Sequence, residues 1–134
     1  FVFPGFDGTY QCRSVVQSMV NLLDIIVGNI TSILKERNLW DNTLVVFTGD
    51  NGGCELITWT AGNSHPLRGG KFVPFEGGIR TTTFVSGGYL PKDRYGQIEN
   101  GMVHVADWYA TFCEMNGIDA TDEKAAEAGL PAVD

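Results

Sequence analysis

Residues 43–53 read Thr43-Leu44-Val45-Val46-Phe47-Thr48-Gly49-Asp50-Asn51-Gly52-Gly53, and this stretch decides the fold. Residues 43–48 are an unbroken run of β-formers, without the alternation of a half-solvated strand. Such a run predicts a strand covered on both faces, the habit of a parallel sheet flanked by helices. The run breaks at Gly49. Asp50 and Asn51 then stand at the strand's C-terminal end, the edge where open α/β sheets gather functional groups. A carboxylate and an amide oxygen are donors that Ca²⁺ and Mg²⁺ accept. Strand neighbours point to opposite faces, so both can meet one ion only if the backbone bends here, which the flanking glycines allow. A hard cation takes six or more ligands, so others must come from elsewhere. An Asn-Gly turn capped by Asp50 accounts for the same residues without any ion.

Upstream, apolar residues from Val15 to Leu34 recur in steps of three and four, predicting a helix over residues 15–37 with one wide buried stripe. Ser14 is its expected N-cap and Asn38 its close. Residues 39–42 make a short connection into the strand, so helix, link and strand form half of a βαβ unit. Downstream, residues 54–75 read as an irregular loop across which Pro66 and Pro74 forbid a regular helix. Residues 79–86 read as a second strand and 103–115 as a helix, with Asp107 near its start and Gly117 just past its end. Residues 119–129 read as a short surface helix or a tail.

Composition narrows the class. The net charge of −7 over 134 residues argues against a nucleic-acid partner. No apolar run reaches the ~18 residues of a membrane span, because Asn21, Asp24, Asn29 and Thr31 interrupt the best helical stretch. Glycine occurs 17 times, four times as an adjacent pair and without a period, above the usual ~7%, which points to tight turns and close backbone approaches. The three cysteines have no metal-like spacing. Asn29-Ile30-Thr31 satisfies the N-glycosylation sequon.

Three blocks in order carry a resemblance: residues 43–53; Pro66-Leu67-Arg68-Gly69-Gly70-Lys71; and Phe75-Glu76-Gly77-Gly78-Ile79-Arg80. Together they closely resemble the type I, formylglycine-dependent sulfatases, nearest to arylsulfatase B-like (N-acetylgalactosamine-4-sulfatase-like) members. The helix before the strand and Val103-His104-Val105-Ala106-Asp107-Trp108 also look like that family. The resemblance implies an alkaline-phosphatase-like α/β fold with a mainly parallel sheet flanked by helices. Residues 1–134 would be the C-terminal part of one catalytic domain. It makes Asp50 and Asn51 ligands of an active-site Ca²⁺, in preference to Mg²⁺, and Lys71 the cation that contacts the substrate sulfate. It implies a sulfate ester as substrate, the remainder of the domain or other chains as partners, and a secreted, lysosomal or cell-surface protein.

Beside these, Glu76 and Arg80 straddle two glycines and are expected as a structural ion pair rather than a helical one. Arg68 could brace the same loop or lean toward an anionic substrate. His65 is a substrate-pocket candidate, an imidazole able to change charge near neutral pH; a plain loop histidine fits as well. Trp59, Phe72 and Phe75 could wall an aryl or sugar group. His104 reads as packed among Val103, Val105 and Trp108.

The formylglycine nucleophile of this family arises from Cys or Ser in a Cys/Ser-x-Pro-x-Arg motif. Cys12, Cys54 and Cys113 are followed by Arg13-Ser14-Val15, Glu55-Leu56-Ile57 and Glu114-Met115-Asn116, so no cysteine qualifies; Ser64-His65-Pro66-Leu67-Arg68 has the letters of the serine form, but it overlaps the second resemblance block and follows the 43–48 strand instead of lying in an N-terminal part. The family's N-terminal Asp-Asp pair and basic cluster are likewise absent. The expectation is a parent sulfuric ester hydrolase whose nucleophile-bearing N-terminal part lies outside these residues, with this segment inactive alone. A non-catalytic sulfatase-like component of a larger assembly is the alternative, and a hydrolase of phosphate or phosphonate esters a third reading.

Overall fold

The computed structural model describes residues 10–54 and 62–130, with side chains from Ser14 onward. Residues 1–9, the side chain of Cys12 and Trp59 lie outside the described residues. The apolar periodicity forms α1 (Tyr10–Glu36). Ser14 is not its cap: it sits inside the helix, where its carbonyl accepts from Ser18 Oγ at 2.8 Å. Residues 10–13 hold no Gly or Pro that would stop the helix from starting earlier. Its end follows the expectation. Asn38 takes a left-handed backbone at φ 56°, its N–H donates to the Lys35 carbonyl, and the Leu39 N–H donates to that of Leu34. This is the paired closure of a Schellman motif, with asparagine in the position glycine usually takes.

A 3₁₀ turn at Trp40–Asn42 leads into β1 (Val45–Thr48). Lys35 Nζ lies 4.9 Å from the Trp40 ring centroid, tying the helix end to the turn. Past the loop, a single helical turn, α2 (Glu76–Ile79), precedes β2 (Thr83–Ser86). Ile79 therefore ends a helix instead of opening a strand, because the Ile79 and Arg80 N–H groups bond back to Phe75 and Glu76. β1 and β2 pair antiparallel, Val45 opposite Ser86 and Thr48 opposite Thr83.

That pairing corrects the parallel expectation for these two strands. A parallel pair needs a crossover that returns the chain to the same end. Among the described residues, only loop and the one turn of α2 separate β1 from β2. Cross-strand partners reinforce the antiparallel register: the Phe47 and Phe84 rings stack with centroids 4.9 Å apart, and the Thr48 and Thr83 hydroxyls meet at 2.9 Å.

Coverage is the second correction. Val45 to Phe47 are only half-buried, and among the described residues no hydrophobic side chain is fully buried. The stripe of α1 is open to solvent, with Met19 64%, Leu22 57% and Ile33 55% exposed. Covering each such side chain would stabilise by about 1.5–3 kcal/mol. Ser14–Glu36 is also long and apolar enough, by length and composition, to cross a membrane. The polar residues cited against a span thus break no helix: Asn21, Asp24 and Thr31 lie off the apolar stripe and Asn29 at its rim.

The chain divides into two units, Phe1–Tyr95 and Gly96–Asp134. In the second, α3 (Asp107–Met115) ends where Gly117 turns left-handed at φ 65°. The His104 N–H donates to Asp107 Oδ2 at 2.6 Å, so Asp107 closes the turn before the helix. His104 is exposed rather than packed, as are Val103 and Val105. Residues 119–129 do form a helix over part of their length, α4 (Glu123–Glu127), capped by Asp122, whose carboxylate accepts from the Ala125 N–H at 3.0 Å. Asp122→Ala is expected to lose about 1 kcal/mol of local stability, read as faster amide exchange confined to residues 123–128.

Candidate functional site

The ladder between the strands runs one bond past β1, where the Gly49 N–H donates to the Thr82 carbonyl at 3.0 Å. Beyond it the backbone bends at Asp50 and Asn51. Asp50 is exposed and Asn51 half-buried. Asp50 Oδ1 accepts from the Asn51 N–H at 2.9 Å, and Asn51 Nδ2 donates to the Gly52 carbonyl at 2.9 Å. These two contacts join adjacent residues only, and no backbone turn hydrogen bond closes around Asn51-Gly52 among the described residues. They consume one carboxylate oxygen and the amide nitrogen. Asp50 Oδ2 and Asn51 Oδ1, the two atoms suited to a hard cation, have no hydrogen-bond partner among the described residues. The donor chemistry fits Ca²⁺ as part of a set. No group of three or more His, Cys, Asp or Glu gathers among the described residues, so these two oxygens cannot complete a site alone.

Three loops converge just behind that bend. The Gly52 N–H donates to the Gly78 carbonyl at 2.9 Å, the Lys71 N–H to that of Gly53 at 2.8 Å, and the Gly77 N–H to that of Arg68 at 2.8 Å. The Asp50–Asn51 bend, the lysine loop and α2 are thus laced together through main chain. Only glycine fits at two of the crossings. A Cβ on Gly52 would overlap the Gly77 carbonyl, and one on Gly77 would overlap the Gly69 carbonyl oxygen and stand 2.8 Å from that of Arg68. Carbonyl groups of a laced backbone cannot swing aside as a side-chain tip does.

The lacing brings Lys71 to the bend through its backbone. Its ammonium lies 5.5 Å from the Phe72 ring centroid and forms no ion pair among the described residues. Phe72 itself sits at φ 79°. A bulky residue there is strained by roughly 1–3 kcal/mol, and such strain is held only where surrounding structure over-determines it. Arg68 stacks on Phe75, Cζ 3.9 Å from the ring centroid, so Phe75 braces an arginine. Arg80 Nη1 lies 3.7 Å from Glu76 Oε2, across the turn of α2. This is a helical i,i+4 pair after all; the two glycines, buried against neighbouring backbone, do not prevent the turn. With both side chains more than half exposed, it contributes a few tenths of a kcal/mol at most.

His65 is exposed. Its N–H donates to Asn63 Oδ1 at 2.9 Å, but among the described residues no bond joins its imidazole to Asp50, Asn51 or Lys71. Asn29 is exposed at the rim of the α1 stripe. Sequence reasoning missed Ser64, whose Oγ donates to the Gly77 carbonyl at 3.0 Å; a loop serine carries no signal of a partner thirteen residues away. The strained Phe72 was equally invisible, since nothing in its side chain favours a left-handed backbone.

The comparisons with known proteins bear on this geometry directly. The sulfatase family model matches residues 4–118, spanning all three motif blocks and α1. Arylsulfatase J of Mus musculus is 36% identical over 73% of this chain and 16% of its own length. N-acetylgalactosamine-6-sulfatase of Sus scrofa is 31% identical over 91% of this chain and 23% of its own length. Arylsulfatase A of Homo sapiens is 40% identical over 81% of this chain and 18% of its own. The chain therefore spans less than a quarter of the length of these curated relatives. No solved structure matches. A family match that runs through the β1 bend, the lysine loop and α2 alike carries with it an α/β fold of the alkaline-phosphatase type, and the chain belongs to the sulfatase family.

Proposed function

We propose that the protein to which this chain belongs is a sulfuric ester hydrolase, cleaving a sulfate ester to an alcohol and inorganic sulfate. The observation that supports this most is the lacing of Lys71 to the Asp50–Asn51 bend through the Gly53 carbonyl, in a chain of the sulfatase family. Asp50 Oδ2 and Asn51 Oδ1 are offered as two of the ligands of Ca²⁺, the remaining ligands coming from other parts of the domain. When bound, the cation supplies fixed positive charge that aligns the sulfate oxygens, and formylglycine from outside this chain supplies the attacking oxygen.

The work of this chain's own residues is electrostatic and geometric. Asp50 and Asn51 hold the cation's position at a strand end. The Lys71 ammonium, a mobile point charge without an ion-pair partner among the described residues, faces the charge that grows on the sulfuryl oxygens in the transition state. Arg68, held flat on Phe75, keeps its guanidinium edges available for a second anionic group on the substrate, and exposed His65 lies on the same loop. The open α1 stripe and the half-covered faces of β1 and β2 are assigned to packing within the remainder of the catalytic domain, since the family match runs across the whole helix. A secreted, lysosomal or cell-surface setting is the reading that goes with the sulfatase family, and the Asn29 sequon is in keeping with it.

In the full-length protein, an aryl sulfate is expected to release inorganic sulfate in the presence of Ca²⁺, faster than the matching aryl phosphate releases phosphate. No release with Ca²⁺ present would point to the non-catalytic alternative, and preference for the phosphate to a phosphatase. Asp50→Ala is expected to move the Ca²⁺ concentration for half-maximal activity up by roughly 10–100-fold, with direct Ca²⁺ titration by calorimetry moving in parallel. An unchanged titration would remove Asp50 from the ligand set.

A further inference from the structure

We propose that Ser64 is a positioning residue for Lys71, acting through the carbonyl of Gly77. The inference rests on the role given to Lys71 above and goes beyond it in naming what aims the lysine.

The loop that carries Lys71 is tied to α2 at one residue. The Gly77 N–H donates to the Arg68 carbonyl at 2.8 Å, and the Gly77 carbonyl accepts from Ser64 Oγ at 3.0 Å. Ser64 and Arg68 are also joined locally, because the Leu67 N–H donates to the Ser64 carbonyl at 2.8 Å and closes the turn between them. Gly77 thus holds Ser64, at the start of that turn, and Arg68, just past its end. Past Arg68, the Gly69 carbonyl packs against Gly77, and the carbonyl of buried Gly70 accepts from the Val73 N–H at 3.3 Å. The Lys71 N–H then bonds the Gly53 carbonyl.

Two consequences follow from that layout. The direction in which the lysine leaves the loop is set by two anchors, Gly53 on one side and the Ser64–Gly77–Arg68 clamp on the other. Of these contacts, the Ser64 hydroxyl is the one made by a side chain, and hence the one a substitution can remove without disturbing main chain. The strained Phe72, at φ 79°, adjoins the lysine on its far side. It shows that the backbone around Lys71 is held against its own preference, which loosening a clamp would relax. A displacement of about 1 Å at a charged group facing a transition state is enough to cost activity heavily.

The test is a double-mutant cycle in the full-length protein. Ser64→Ala is expected to lower kcat for an aryl sulfate about tenfold, with KM and the Ca²⁺ requirement nearly unchanged. Calorimetry with inorganic sulfate should show weakened binding, and Ser64→Thr, which keeps the hydroxyl, should restore both. In a Lys71→Ala background the Ser64→Ala loss should vanish, because no ammonium is left to aim. If Ser64→Ala does not fold, Ser64→Cys, of similar size with a weaker donor, is read through the same cycle. An equal loss in both backgrounds would overturn the proposal and leave Ser64 a general brace; so would full activity of Ser64→Ala. A Lys71→Ala variant with wild-type kcat would instead overturn the role of the lysine itself, and the two failures are told apart by that single variant.

Discussion

Lys71→Ala in the full-length protein is expected to lower kcat for an aryl sulfate by roughly 10²–10³-fold, with KM changed far less. The size is that of removing one preorganised partner of developing charge from a transition state. The split between kcat and KM follows from where that charge grows. A sulfate monoester carries one negative charge in the ground state, and Lys71 matters most as further charge gathers on the sulfuryl oxygens. Lys71→Arg should restore little, since a planar guanidinium spreads over a fork the charge that an ammonium carries at one point. Steady-state kinetics on the three proteins decides it. A Lys71→Ala loss confined to KM would mean that the lysine binds substrate and transition state alike, which is a docking role.

Gly77→Ala should do more damage still, although the residue has no chemistry. Its added methyl would overlap the Gly69 carbonyl and press on that of Arg68. Relief requires moving the backbone that also holds Ser64 and, through Gly70 and Lys71, the lysine loop. Overpacking of this kind costs on the order of 3 kcal/mol, a large share of an ordinary domain's margin of about 5–15 kcal/mol. The expected result is a full-length protein with a melting temperature several degrees lower and almost no sulfate release, even in the fraction that folds. Gly101→Ala is the matched control: no atom lies within 4 Å of its added carbon, and its stability should change by less than about 0.5 kcal/mol. Equal effects of the two substitutions would show that the glycine crossing is not what holds the loops together.

The 134 residues taken by themselves carry a separate expectation, because so much of their apolar surface is open. With no hydrophobic side chain fully buried among the described residues, they are not expected to melt cooperatively as a monomer. The same fact explains which sequence expectations went astray. A run such as Val45-Val46-Phe47 does indicate a strand that wants cover on both faces, but cover is a property of neighbours, and here those faces stand half open. Likewise, local pattern reports that residues 83–86 are extended without reporting which way they run beside β1. Direction depends on where the connecting loop delivers the chain, and α2 delivers it antiparallel.

What the amino-acid order determined by itself is substantial. The 3.6-residue stripe and closing Asn38 mark α1, the β-formers mark β1, and the three ordered motif blocks mark the family, because periodicity, propensity and motif spacing are local in the chain. Ser14 as a cap and Ile79 as a strand residue failed at element boundaries, where helix continuation competes with equally weak local preferences. Only the tertiary structure decided that Gly77 meets Gly52 at one backbone crossing and the Gly69 carbonyl at another, that Arg68 lies flat on Phe75, that Phe72 is held at a costly backbone angle, and that Ser64 reaches α2. Each of these joins residues separated along the chain or depends on such a join. Their energies come from atoms meeting at van der Waals or hydrogen-bond distance, and a sequence read along its length does not contain those distances.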